Sequence, residues 1–119
     1  MFIGESVQQK PLNNIILLLH QTIPAGQITN TIPYQCAQYS KIVGVISSDQ
    51  ACTVNIMQGF HYIAGILQSP VYTTAIPLTA GQVQGFEIAV ISLYIKFQII
   101  AGVINITDFN IDVEGKTLG

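Results

Sequence analysis

The sequence predicts an all-β fold: one domain, an antiparallel β-sandwich of about eight strands, jelly-roll-like or immunoglobulin-like. Three observations predict it. Apolar and polar residues alternate with a period of two along much of the chain, the mark of half-buried strands. Ile occurs twenty times and Thr and Val are frequent, types that pack well on a pleated surface. Turn-forming residues interrupt these stretches at intervals of roughly 8–12 residues. No stretch shows a helical stripe, and the strong helix formers Glu, Lys and Arg are nearly absent.

The elements follow in order. Ile15 to Leu19 and Ile42 to Ile46 are apolar on both faces, and read as central strands or as strands lying under another subunit. Pro24-Ala25-Gly26 makes a turn between them, with Pro33 beyond it. The turn Ser47-Ser48-Asp49 opens Cys52 to Gln58. There Cys52, Val54 and Ile56 face one way and Thr53, Asn55 and Met57 the other. Gly59, then Ser69-Pro70, then Thr79-Ala80-Gly81 mark further breaks. Gln84, Phe86, Ile88 and Val90 share one strand face. Leu93, Ile95, Phe97 and Ile99 share a face of the next strand, opposite Tyr94, Lys96 and Gln98. Beyond Ala101-Gly102, Phe109, Ile111 and Val113 alternate with Asp108, Asn110 and Asp112. The single domain spans 1–119, with an N-terminal arm at 1–11 and a C-terminal tail at 115–119. One short echo, Ala25-Gly26-Gln27-Ile28-Thr29 against Ala80-Gly81-Gln82-Val83-Gln84, reads as one hairpin solution used twice, with Gly supplying a positive φ.

Charge is the unusual feature. Ten of the 119 residues are Asp, Glu or Lys, and there is no Arg. From Gln50 to Phe86 there is no charged residue at all. An isolated soluble domain relies on mixed surface charge to stay monomeric. A surface left this neutral makes sense where neighbouring subunits cover it. Lys10, Lys41, Lys96 and Lys116 are scattered, unlike the clusters that grip phosphate backbones, so nucleic acid is not an expected partner. The apolar run Ile15 to Leu19 falls far short of the ~20 residues of a membrane span. It also lacks the flanks of a secretory signal.

Chemistry-bearing residues are few. No Ser sits in a G-x-S-x-G context, and neither Cys36 nor Cys52 has a convincing His-plus-acid arrangement. The two cysteines could form one bridge, but free buried cysteine is common. His20 reads as a satisfied strand-end histidine. Asp108, Asp112 and Glu114 could hold a hard cation such as Ca²⁺; the plainer reading is a solvated sheet face. Phe60, His61 and Tyr62 form an aromatic loop, readable as a ligand or subunit contact or as a loop packed over the end of the sandwich.

The segment Ser48-Asp49-Gln50-Ala51, the strand after it, Ile76-Pro77-Leu78-Thr79-Ala80-Gly81, Gly85 to Val90 and Tyr94-Ile95-Lys96-Phe97 together resemble small β-sandwich virion structural proteins of bacterial viruses. The order and spacing match from about Lys41 to the C-terminus. Departures are Cys52 where Gly is usual, Gly59-Phe60-His61-Tyr62 in place of an Asp-Gly-x-x-Trp type of loop, Lys96 for Arg, and Ala101-Gly102 for an Asn-Gly turn. The resemblance implies a virion role, with assembly in the host cytoplasm, and no catalytic residues.

The expectation is therefore a self-assembling virion structural protein: capsid-associated, cement or decoration, or small capsid protein. A tail or appendage protein and a carbohydrate- or surface-binding module are the alternatives; Trp, a frequent stacking platform, is absent. A secreted adhesive filament subunit comes third. The chain is not expected to be an enzyme or to need a cofactor or metal. Its expected partners are copies of itself and other virion proteins. Phe2, Ile3, Met57, Phe60, His61 and Tyr62 are the candidate subunit-contact residues.

Overall fold

The computed structural model describes residues 15–68 and 70–117. Within them the chain forms eleven strands and no helix. These are β1 (Ile15–Ile23), β2 (Ile28–Asn30), β3 (Tyr34–Gln35), β4 (Lys41–Ser48), β5 (Cys52–Gly59), β6 (His61–Ile63), β7 (Ile66–Gln68), β8 (Tyr72–Leu78), β9 (Val83–Ala89), β10 (Tyr94–Ala101) and β11 (Ile106–Lys116). Every pairing is antiparallel.

Two sheets make the sandwich. Sheet 1 runs in the order β9-β4-β11-β1, and sheet 2 in the order β2-β10-β5-β8, with β3 also on β10. β6 and β7 form a separate hairpin. Between main strands the chain crosses from one sheet to the other each time, except from β5 to β8, where the hairpin intervenes. A four-stranded and a five-stranded antiparallel sheet interleaved in this way form a jelly roll, which selects between the two sandwich types that the periodicity allows.

The alternation places the core. Val54 and Ile56 on β5, Ile95, Phe97 and Ile99 on β10, and Phe109, Ile111 and Val113 on β11 are all essentially inaccessible. Ile42 and Ile46 on β4 join them. Gly44 sits between these two, and the Phe86 ring from β9 lies over it. Gly115 plays the same part on β11 under the Tyr39 ring. Each glycine leaves the volume its aromatic neighbour fills, which keeps the interior close-packed.

The two echoing turns are alike in structure. Gln27 N–H donates to Pro24 O at 3.3 Å and Gln82 N–H to Thr79 O at 3.2 Å. Gly26 and Gly81 have φ of 72° and 78°, the conformation a type II turn requires at its third residue. Both turns carry the chain between sheets at the same end of the sandwich.

Several expectations need correction. Of the two readings of Ile15 to Leu19, the central strand is corrected: β1 is an edge strand paired with β11, whereas β4 is interior. β11 extends through Gly115 and Lys116, which pair with Ile42 and Lys41 instead of beginning the tail; the Tyr39 ring over Gly115 holds this last turn of pairing. Leu93 lies before β10 and is exposed, because the chain turns through Ser92 rather than starting the strand there. Gln84 is exposed although Phe86 and Ile88 turn inward. The N-terminal arm 1–11 lies outside the described residues.

Candidate assembly interface

Strand pairing sorts the surface by charge. Lys41, Glu87, Asp108, Asp112, Glu114 and Lys116 lie on the outer face of sheet 1, six of the chain's ten charged residues. Charges pair there: Lys41 Nζ sits 3.1 Å from Glu87 Oε2 on the neighbouring strand, and Lys116 Nζ 3.3 Å from Glu114 Oε1 two residues back on its own. His20 Nε2 lies 2.9 Å from Asp108 Oδ1 at the edge of this face; it has a partner as expected, but it lies within β1, opposite Asn110, and not at the strand's end. The carboxylates share the face with Val43, Val45 and Asn110. The described residues contain no cluster that could hold a metal ion. A shallow groove of about 390 Å³ crosses the face beside His20, Val45 and Val83.

The outer face of sheet 2 differs. Lys96 is its one charge among Ile28, Asn30, Thr53, Asn55, Met57, Thr73, Ala75, Tyr94, Gln98 and Ile100. Its amides satisfy one another. Asn55 Nδ2 donates to Gln98 Oε1 at 3.0 Å, and Gln98 Nε2 donates to Asn30 Oδ1 at 3.2 Å. Lys96 Nζ donates to the same Asn30 oxygen at 3.3 Å. Polar groups already paired cost less to bury than groups that must shed water.

Both ends of the sandwich are uncharged over much of their surface. At one end the turns before β2 and before β11 come together, and the turn before β9 lies at the other edge, where Gly81 N–H donates to Ser48 O at 2.8 Å. Gly26 N–H donates to Gly102 O at 2.8 Å, and Ala25 N–H to Asn105 Oδ1 at 2.8 Å. These turns present Ala80, Val83, Ile104 and Val103, the last 94% exposed.

The opposite end carries the β6–β7 hairpin, where the aromatic loop was expected. Its turn, Ala64-Gly65, has φ of 54° and 79°, the two positive values of a type I′ hairpin turn. The hairpin is fastened at its base. Gly59 has no side chain, and Leu67 lies over it, 4% exposed. Tyr62 packs edge-on against Tyr94, with ring centroids 4.8 Å apart. Phe60, His61 and Tyr62 are exposed in part, as are Val71 and Tyr72 nearby, and Ile63 and Ile66 are 67% and 61% exposed at the tip. Of the other candidate contact residues, Met57 lies half-buried on the outer face of sheet 2. Phe2 and Ile3 are outside the described residues. Ile63 and Ile66 were missed in the sequence; the flanking of Ala64-Gly65 by Ile-Ile was the available signal.

Buried polar chemistry is structural. Gln58 is fully buried at the hairpin end and bridges the sheets: Nε2 donates to Ala89 O at 3.0 Å, while Oε1 accepts from Ile91 N–H at 2.9 Å and Ser92 Oγ at 3.2 Å. Cys36 and Cys52 are buried and unbridged. Burial pushes both thiols above their ordinary range, against weaker opposing hydrogen bonds from Ser92 and Ser48; such thiols stay protonated and unreactive. At the turn end, Asp49 does more than close its own turn. Its carboxylate accepts from Thr107 N–H at 3.0 Å and Asp108 N–H at 3.1 Å, and from the Thr107 hydroxyl. The local turn is closed by the Ser48 hydroxyl, which accepts from Gln50 N–H at 3.2 Å and donates to Gln50 O at 2.6 Å.

Among known proteins, no family description and no curated sequence matches this chain. One similar solved structure is described as "Bacillus endospore appendages form a novel family of disulfide-linked pili". It shares 12% identity, over 95% of this chain and 100% of that one, with a TM-score of 0.45.

Proposed function

We propose that this chain is a structural subunit that works by associating with copies of itself, and that it builds an appendage such as a tail or filament. The observation that carries this reading is the segregation of charge. Six of ten charged residues crowd onto the outer face of sheet 1, while both ends of the sandwich expose aliphatic side chains, with Asp49 the charge in the turns of one end. Interfaces are depleted of charge at their cores and keep polar groups where solvent remains. The virion setting comes from the sequence resemblance. A capsid-associated or decoration protein needs one covered side. Uncharged surface at two opposite ends suits a repeating contact along one direction better, which favours the appendage over the shell. The surface-binding alternative draws less support, since Tyr62 turns part of its ring to Tyr94.

Sedimentation velocity at micromolar concentration, with negative-stain imaging of the same sample, tests the proposal. Extended particles are expected. Their formation should change little between about 0.05 and 0.5 M salt, because charge contributes little to the contact. A monomer throughout that range refutes self-assembly. Assembly that disappears at high salt refutes the uncharged interface.

A further inference from the structure

We propose that the β6–β7 hairpin end of one copy seats on the turn end of a second copy, so that copies join head to tail. This rests on the self-assembly reading and names the two surfaces that meet.

The two ends lie far apart on the same strands. Gly59 of β5 pairs with Tyr94 at the hairpin end, and Cys52 pairs with Ala101 at the turn end. The eleven-residue β11 spans about 34 Å at 3.4 Å per step, longer than either of the two shorter extents of the 51 × 32 × 21 Å molecule. The strands therefore run along its length, and the ends are its small sections. A 32 × 21 Å section is about 670 Å² before relief is counted, close to the ~800 Å² per partner of a specific interface.

Each end offers what the other can use. The hairpin projects Tyr62, Ile63 and Ile66 on a tight turn held down by Leu67 over Gly59. A free two-stranded hairpin is marginal in water. This one is anchored at its base, so little conformational freedom is lost when the tip is buried. The turn end presents Val103 and Ile104 on a turn bonded to the one before β2, and Ala80 and Val83 on a turn bonded to Ser48. Neither set of side chains is itself charged; the one carboxylate in the turns of that end, Asp49, is already held by the Thr107 and Asp108 amides when the ends meet. The contacting surfaces differ, so the contact is heterologous. Since they sit at opposite ends, it repeats along the axis.

The test blocks one end at a time. Ile63→Lys with Ile66→Lys blocks the hairpin; Val103→Lys with Ile104→Lys blocks the turns. All four side chains are more than half exposed, so the core is untouched and the β-sheet circular dichroism should be retained. If the hairpin double variant has a lowered melting temperature, Ile63→Thr with Ile66→Thr replaces it. Sedimentation should show each double variant assembling at least tenfold more weakly than the parent chain. An equimolar mixture should then form dimers and nothing larger, since each variant keeps the end that the other lacks. Parent-like assembly by either variant alone overturns the head-to-tail contact while leaving self-assembly standing. A mixture that stays monomeric overturns it as well, because the hairpin end left intact on one variant must then seat on the turn end left intact on the other. A parent chain that is itself monomeric overturns both readings.

Discussion

Replacing Gln58 by Leu removes a side chain whose three hydrogen bonds join β5 to the end of β9 and to the segment that follows it. Leu has nearly the same volume, so no cavity opens and the cost falls on the orphaned partners. Ala89 O and Ile91 N–H lose their side-chain partner, and the Ser92 hydroxyl keeps only its bond to Tyr94 O at 2.9 Å. A buried polar group left unsatisfied costs about 1–3 kcal/mol. Two such groups cost about 2–6 kcal/mol, offset by ~1–2 kcal/mol for the more apolar side chain. The expected net loss is about 1–4 kcal/mol. A domain of this length shifts by about 4 °C per kcal/mol, so the melting temperature should fall by roughly 4–16 °C. Thermal unfolding followed by circular dichroism measures this in a chain that also carries Ile63→Lys and Ile66→Lys, where assembly does not add to stability. Amide exchange at Ile91 supplies a local reading and should accelerate. A fall of under about 3 °C, with exchange at Ile91 unchanged, would mean that water or the backbone replaces these bonds, and the bridging role would be wrong.

Gly44→Ala should destabilise by about 1–3 kcal/mol, since its Cβ would stand 2.6 Å from Asp112 O and 2.7 Å from the Phe86 ring. Adding Phe86→Leu should recover only part of the loss in urea denaturation, because the carbonyl clash remains; full recovery would show that the ring alone sets the constraint. Asp49 has its pKa lowered, first by the Thr107 hydroxyl and further by backbone amides, against a desolvation that raises it. A depressed folded value means that its contribution is fully present above the unfolded carboxylate pKa and is lost as pH falls through the folded one. The difference in melting temperature between the parent and Asp49→Asn should therefore be constant near neutrality and close below the ordinary value of 3.8; a gap that persists under strong acid would exclude the carboxylate as its source.

Most of the sandwich was legible because strands buried on one face write their geometry into alternate residues. Phe109, Ile111 and Val113 could be placed inside from spacing alone, and Thr53, Asn55 and Met57 outside. What was illegible depended on partners distant in sequence. Ile15 to Leu19 looks like a central strand, but its position at the edge follows from which strand pairs with β11. Gln58 occupies an inward position in β5 and looks like a break in the pattern until Ala89, Ile91 and Ser92 arrive from β9 and beyond. Asp49 looked like a local turn residue; its partners are 58 and 59 positions away. The candidate surface was legible as a lack of charge between Gln50 and Phe86, but not as a pattern. Only strand pairing brings Lys41, Glu87, Glu114 and Lys116 onto one face.

The same internal bonds that stabilise the fold also shape the proposed contact. Ile91 is half exposed beside Tyr72 at the hairpin end, while its amide is held by Gln58. Gly26 and Ala25 brace the turns that carry Val103 and Ile104. An interface gains affinity when its anchors are ordered before they meet, since less entropy is lost on binding. Buried polar bonds at the hairpin end, and bonds between exposed turns at the other, hold exposed aliphatic side chains on a stiff frame. Loosening that frame should weaken association beyond what lost folding stability accounts for. Gln58→Leu in an otherwise unaltered chain separates the two effects. At a temperature well below its melting point, where the chain remains folded, assembly should still be weaker than that of the parent. Equal assembly under those conditions would mean that the hairpin end binds without help from the bonds beneath it.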